Sequence, residues 1–187
     1  MSIILEAARF AELRHRGVFR KYTGDPYIVH PARVASVISY LPCSTEVIVA
    51  AAWLHDILED TDVSTDYFAE VHGARITELV LEVTNPSKKY PNLPRKQRKA
   101  MDLEHIRAAS KAGKIIKMVD RIDNLLDYPV DNEEARKFVQ DLYYKESVAV
   151  YHATKDADEY LAERFFETLD KIYLEFGVEY VSNHCRY

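Results

Sequence analysis

The sequence predicts an all-α fold, and three observations carry that prediction. Glycine is scarce, at 5 of 187 residues. The alternation of apolar and polar residues that marks a half-buried strand is hard to find. Apolar residues instead recur at i, i+3, i+4 and i+7, the spacing of one helical face. No internal repeat or low-complexity linker interrupts the chain, so one domain over 1–187 is expected, at a length close to the ~150 residues typical of one domain.

Helices are expected near 3–16, 31–41, 45–59, 64–72, 74–84, 95–109, 112–127, 132–152 and 156–175. The first begins with Ile3, Ile4 and Leu5, but Glu6 and Arg9 end that apolar run before it reaches the length of a secretory segment. After a break at Gly24–Pro26, Pro31 is a favoured first-turn residue. Val34, Val37, Ile38 and Leu41 then share a face. Pro42–Ser44 breaks the chain again. From Val47 to Leu58 nearly every residue is apolar, interrupted only by His55 and Asp56, as in a buried central helix that Ser44 or Thr45 could cap. A short helix starts near Ser64 and Gly73 stops it. Ile76, Leu79, Val80 and Val83 form the next apolar stripe. Asn85–Pro94 reads as a loop before the helix at 95. Ile115, Met118, Val119, Ile122, Leu125 and Leu126 define the helix over 112–127, and Tyr128–Asp131 separates it from the last two.

Composition bounds the function. Hydrophobic residues are 48% and charged residues 29%, an ordinary globular balance. Lys and Arg total 25 against 30 Asp and Glu, a net charge of −5, which argues against a protein that coats nucleic acid. No apolar run approaches the ~20 residues of a membrane span. Two cysteines, Cys43 and Cys185, are too few for a disulfide framework and suit a reducing compartment. A soluble, cytoplasmic protein with neither nucleic-acid nor membrane partners is expected. Composition leaves its oligomeric state open.

The polar residues inside the apolar helices point to chemistry. His55 and Asp56 are costly to bury unless paired or metal-bound. Glu59 and Asp60 follow one turn later, and on a continuous helix 55, 56, 59 and 60 share a face. His30 precedes a helix, from where its imidazole can reach across to another. Lys117, Asp120 and Asn124 line one stripe of the helix over 112–127. The bland readings are a frayed helix end for the acids, a structural histidine at 30 and a surface aspartate at 120. Together, His30, His55, Asp56 and Asp120 would offer two imidazoles and two carboxylates. Such a set without thiolate suits manganese, iron or a similar divalent ion. Such an ion lowers the pKa of a bound water and polarises a phosphoryl oxygen, leaving Glu59 and Asp60 to handle a proton.

Three segments carry a resemblance. They are His15-Arg16-Gly17-Val18-Phe19-Arg20-Lys21 with Gly24-Asp25-Pro26-Tyr27-Ile28-Val29-His30-Pro31, then Leu54-His55-Asp56-Ile57-Leu58-Glu59-Asp60-Thr61, then Lys117-Met118-Val119-Asp120-Arg121-Ile122-Asp123-Asn124-Leu125. The chain resembles, over roughly 5–175, the HD-domain hydrolases of the RelA/SpoT type, in the stand-alone form of the metazoan SpoT homologues. The resemblance implies a helical HD-domain metallohydrolase bundle. It implies manganese-dependent removal of the 3′-pyrophosphate from the alarmones ppGpp and pppGpp, the signals of the stringent response. Carried over by position, His30, His55, Asp56 and Asp120 match the manganese ligands, and Glu59 and Asp60 the acids that activate water. Arg20, Lys21, Arg95, Lys117 and Asn124 match substrate-binding positions. Lys88, Lys89, Arg95, Lys96, Arg98 and Lys99 crowd together in an otherwise acidic chain, a local field suited to a polyphosphate.

The chain also departs from the family pattern. Val18 stands where family members commonly carry Gln, and one extra residue separates Arg20 from Gly24. Another nucleotide substrate, such as ppApp or NADPH, and a non-catalytic alarmone-binding module are the alternatives. If the family reading holds, no synthetase domain is expected beside the hydrolase in these 187 residues. No metal role is expected for His72, His105, His152 or His184. Trp53 is expected in the core, and the 13 tyrosines mostly in packing, with a few free to stack on a base.

Overall fold

The computed structural model describes residues 2–178, so His184 and Cys185 lie outside the described residues. The described residues hold eleven α-helices: α1 (Ile3–Arg14), α2 (Val29–Ser39), α3 (Glu46–Leu54), α4 (Ile57–Asp60), α5 (Thr65–His72), α6 (Ala74–Val83), α7 (Arg95–Ala108), α8 (Lys111–Leu126), α9 (Glu133–Phe138), α10 (Tyr144–Thr154) and α11 (Glu159–Phe176), with a 3-10 turn at Pro86–Lys89. No strand occurs among them, only an isolated bridge between Phe19 and Pro26. The expected all-α class is the class found.

Local chemistry sets the helix starts. The side chains of Thr45, Ser64, Ser110, Asn132 and Asp158 each accept a backbone N–H of the following turn, satisfying donors that a helix start leaves free. Thr45, rather than Ser44, caps α3.

Helix α3 is central. Val49, Ala50, Ala51, Ala52 and Leu54 are buried, and the alanines let α1 approach through Ala7 and Ala11. Helices α2 and α6 flank it, and α8 packs on α2, α6, α10 and α11. Trp53 is half-buried against this core.

Two expected helices are interrupted. The helix over 45–59 breaks at His55–Asp56, and both Glu59 and Asp60 turn their backbone N–H onto the Asp56 carbonyl, at 3.1 and 2.9 Å. The first pair therefore forms the turn itself, and the second pair lies on the short helix that Asp56 opens. The helix over 132–152 carries a π-helical turn at Val139–Tyr143. The wider turn brings residues five apart together, so the Phe138 and Tyr143 rings stack at 5.6 Å.

Candidate metal centre

The end of α3, the start of α2 and the middle of α8 bring His30, His55, Asp56 and Asp120 to one buried point. His30 is 0% exposed and His55 2%. The Nδ1 of His55 donates to the Ala52 carbonyl at 2.8 Å, and the Nδ1 of His30 meets Asp123 Oδ2 at 2.6 Å. A carbonyl or carboxylate oxygen can only accept, so both rings hold their Nδ1 proton outward and present Nε2 inward.

The two Nε2 atoms stand 3.2 Å apart. Asp56 Oδ2 lies 3.5 Å from that of His30 and 3.2 Å from that of His55, while Asp120 Oδ1 lies 3.3 and 3.8 Å away. Donor atoms at about 2.1 Å from a shared ion lie roughly 3 Å or slightly more from one another. Two inward imidazole nitrogens and two carboxylates at this spacing fit a divalent cation. The donor atoms of His30, His55 and Asp56 cluster most tightly, all within 4.8 Å. Asp120 closes the group from α8, with its Oδ2 held by Lys117 Nζ at 2.8 Å.

Electrostatics reinforce the cation preference. Burial works against charge throughout the cluster, yet His55 holds Asp56 well below the usual carboxylate range, and Lys117 does the same for Asp120. Burial also opposes the charge on His30 and His55, but the neighbouring carboxylates outweigh it and raise both imidazoles. A site that draws protons onto two buried imidazoles is one that a metal ion can fill instead.

Glu59 and Asp60 lie beside this point on α4. The Tyr27 hydroxyl bonds Asp56 Oδ2 at 2.7 Å and Asp60 Oδ2 at 3.1 Å, and Lys88 Nζ donates to Asp60 Oδ1 at 3.0 Å. Glu59 accepts the backbone N–H of Asn85 at 2.6 Å and its side-chain amide at 3.0 Å. Burial raises the Glu59 carboxyl above its ordinary value, against the pull of Lys117.

A cavity of about 660 Å³ opens next to the centre. Arg20, Lys21, Tyr22, Tyr27, Asn124, Tyr128 and Phe138 are among its walls. Gly17 and Gly24, with φ of 80° and 74°, turn the loop that carries Arg20 and Lys21 in a way side chains rarely permit. Arg20 donates to Asp127 at 2.8 Å and to Asn124 Oδ1 at 2.7 Å, while Asn124 turns its amide onto Asp120. Lys21 reaches Glu134 in the open at 2.7 Å.

Of the residues expected to bind substrate, Arg20, Lys21 and Asn124 line this cavity. Lys117 sits behind Asp120, and Arg95 stands behind the Phe138 wall rather than in the lining. Nε and Nη2 of Arg95 both bond Glu146 at 2.8 Å, and its Cζ lies 5.3 Å from the centre of the Phe138 ring. The expected basic cluster is likewise divided, with Lys88 at the acids and Arg98 on the Leu93 carbonyl. His105 bonds the Leu81 carbonyl, and His72 packs edge to face on Phe10 and tilted against Phe68.

Sequence reasoning assigned nothing to Tyr27, Asn85 or Asp123. Asp123 binds His30 and takes both arms of Arg33 at 2.6 and 2.9 Å. Its spacing of three from Asp120 put it on the same stripe, which was the one available signal.

A helical bundle with a buried two-imidazole, two-carboxylate centre defines a class of metal-binding helical proteins. The chain matches the HD domain over residues 7–155 and belongs to that family. Within it, the chain is 39% identical over 126 residues to the guanosine-3′,5′-bis(diphosphate) 3′-pyrophosphohydrolase MESH1 of Homo sapiens, covering 66% of this chain and 68% of the human one. The Danio rerio protein of the same name is 31% identical over 182 residues, 95% of this chain and 96% of its own. A solved structure of a metazoan orthologue of SpoT, which hydrolyses ppGpp and plays a role in starvation responses, superposes with a TM-score of 0.77 at 29% identity. That match covers 95% of this chain and 97% of the other. No helix among the described residues is long and apolar enough to cross a membrane.

Proposed function

We propose that the protein hydrolyses ppGpp and pppGpp, removing the 3′-pyrophosphate to leave GDP or GTP, with manganese as the ion. The observation that carries this reading is the convergence of His30, His55, Asp56 and Asp120 with Glu59 and Asp60 alongside. The names of its relatives point to the same reaction. His30, His55, Asp56 and Asp120 would hold the ion, which when bound acidifies water and polarises a phosphoryl oxygen.

The chain's own residues do the rest. A water oxygen bonds the phosphorus nearest the ribose, the bond from that phosphorus to O3′ breaks, and O3′ ends protonated. Glu59 accepts the proton from the attacking water, because burial has made its carboxyl more basic than usual. Asn85 fixes the orientation of that carboxylate with two bonds. Asp60, braced by Tyr27 and Lys88, positions the water. Arg20, Lys21 and Asn124 hold the nucleotide in the 660 Å³ cavity, where Tyr22, Tyr128 and Phe138 offer ring faces for a base. The reading carries with it a cytoplasmic location and a part in the stringent response.

The test is pyrophosphate release from ppGpp, ppApp and NADPH, with manganese and after chelation. Manganese-dependent release, fastest from ppGpp, is expected. Preference for ppApp or NADPH reassigns the substrate, and binding of ppGpp without release makes the protein an alarmone-binding module.

A further inference from the structure

A second cavity, of about 430 Å³, opens between α7, α8 and α10, on the far side of Lys117 from the centre. Arg121 reaches into it from α8. The residue is only 9% exposed, its guanidinium lies 4.6 Å from the Tyr143 ring, and Nε and Nη1 have no hydrogen-bond partner. A buried guanidinium with unmet donors is costly unless an anion completes it.

The cavity's own carboxylates do not complete it. Asp102 is taken by Ser87 and Lys99, and both oxygens of Glu146 are taken by Arg95. Lys96 and Lys145 stand exposed at the rim, with no ion pair among the described residues. Three cations therefore face the cavity with donors to spare, Arg121 at Nε and Nη1 and the two lysines without an ion pair. A carboxylate would answer one charge, whereas a phosphate monoester carries up to two and offers oxygens to the guanidinium fork. The remaining wall is apolar, with Leu103, Ile106 and Val150. A bare ion would leave that wall unused, and the volume suits a small organic molecule.

We propose that this cavity binds a small organic phosphate. The phosphoryl oxygens lie on Arg121, Lys96 and Lys145, and the organic body lies against Leu103, Ile106 and Val150. The site is separate from the nucleotide cavity, but it touches the same machinery, because its inner wall is Asn85 and Lys117, which hold Glu59 and Asp120. A nucleoside monophosphate and free orthophosphate share the anionic chemistry, and the experiment separates them.

The experiment is calorimetric titration of the full chain with GMP and with orthophosphate, in the presence of a chelator. It is run on the Arg20→Ala, Lys21→Ala background, which disables the first cavity, and it requires no turnover, so failure of alarmone hydrolysis has no bearing on it. GMP is expected to bind at least tenfold tighter than orthophosphate. Adding Arg121→Met, or the rim pair Lys96→Glu and Lys145→Glu, is expected to weaken GMP at least tenfold. The exposed rim pair keeps the test valid should Arg121→Met fail to fold. Loss of GMP binding in the background alone, unchanged binding after either addition, or equal affinities for GMP and orthophosphate overturns the proposal.

Discussion

The candidate metal centre and the 660 Å³ cavity beside it are built differently. At the centre the donors stand on or next to helix termini and a helix interior, the imidazoles are buried, and each of the four residues has a hydrogen-bond partner, for Asp56 the Tyr27 hydroxyl. His55 is tied to Ala52, His30 to Asp123, and Asp120 to Lys117 and Asn124. The cavity is walled by a glycine-bounded loop, the end of α8 and the region of α9. Its ion pairs range from the sheltered Arg20–Asp127 to the exposed Lys21–Glu134. The centre is rigid because any displacement leaves a buried charge uncompensated. The cavity can change residues at little cost, since exposed pairs contribute about 0–1 kcal/mol. On the proposed function, the helices fix the reaction type and the loop sets the choice of substrate.

Three substitutions probe the rigid side. Asp56→Asn removes one ligand charge, and with it several kcal/mol of charge stabilisation, so turnover should fall about 10³-fold or more while circular dichroism stays helical. Near-normal turnover with manganese would break the assignment of the centre. Glu59→Gln keeps the shape and an amide oxygen to accept from Asn85, but removes the base. The rate constant should fall roughly 10²- to 10³-fold, with manganese content unchanged by elemental analysis. Asp123→Asn touches no donor atom of the centre directly. It weakens the hold on the His30 ring, and manganese affinity should drop about 10- to 100-fold, with activity recovered at high manganese. Failure of excess metal to rescue it would mean that Asp123 does more than orient His30.

The same contrast explains what could be read from the sequence. The centre was legible because His55, Asp56 and Asp120 interrupt apolar helical stripes, where a charged residue needs a reason. The break at His55–Asp56 was not legible, because neither Gly nor Pro marks it and the apolar run continues through Ile57 and Leu58. Asp123 looked like one more polar residue of α8, since its partners His30 and Arg33 lie some 90 positions away. The π-helical turn at 139–143 leaves no trace in periodicity over so short a stretch. Arg95 matched a phosphate-binding position, but Glu146, 51 positions on, captures it. Short-range pattern reveals which residues are buried at a cost, and long-range pairing decides where the exposed ones turn.

The smallest expected effect is the one that tests whether the two regions are separate. Arg20 belongs to the cavity, yet its Nη2 bonds Asn124, whose amide bonds Asp120 in the centre. If the division holds, Arg20→Ala removes a charged contact to the nucleotide and little else. A charged hydrogen bond contributes about 1.5–3 kcal/mol, and part of that is already spent on Asp127, so KM should rise about tenfold. The rate constant should change less than about threefold and manganese affinity not at all. A parallel fall in the rate constant and in manganese affinity would show that Asn124 transmits the loss to Asp120. The loop would then set the geometry of the metal as well as the choice of nucleotide.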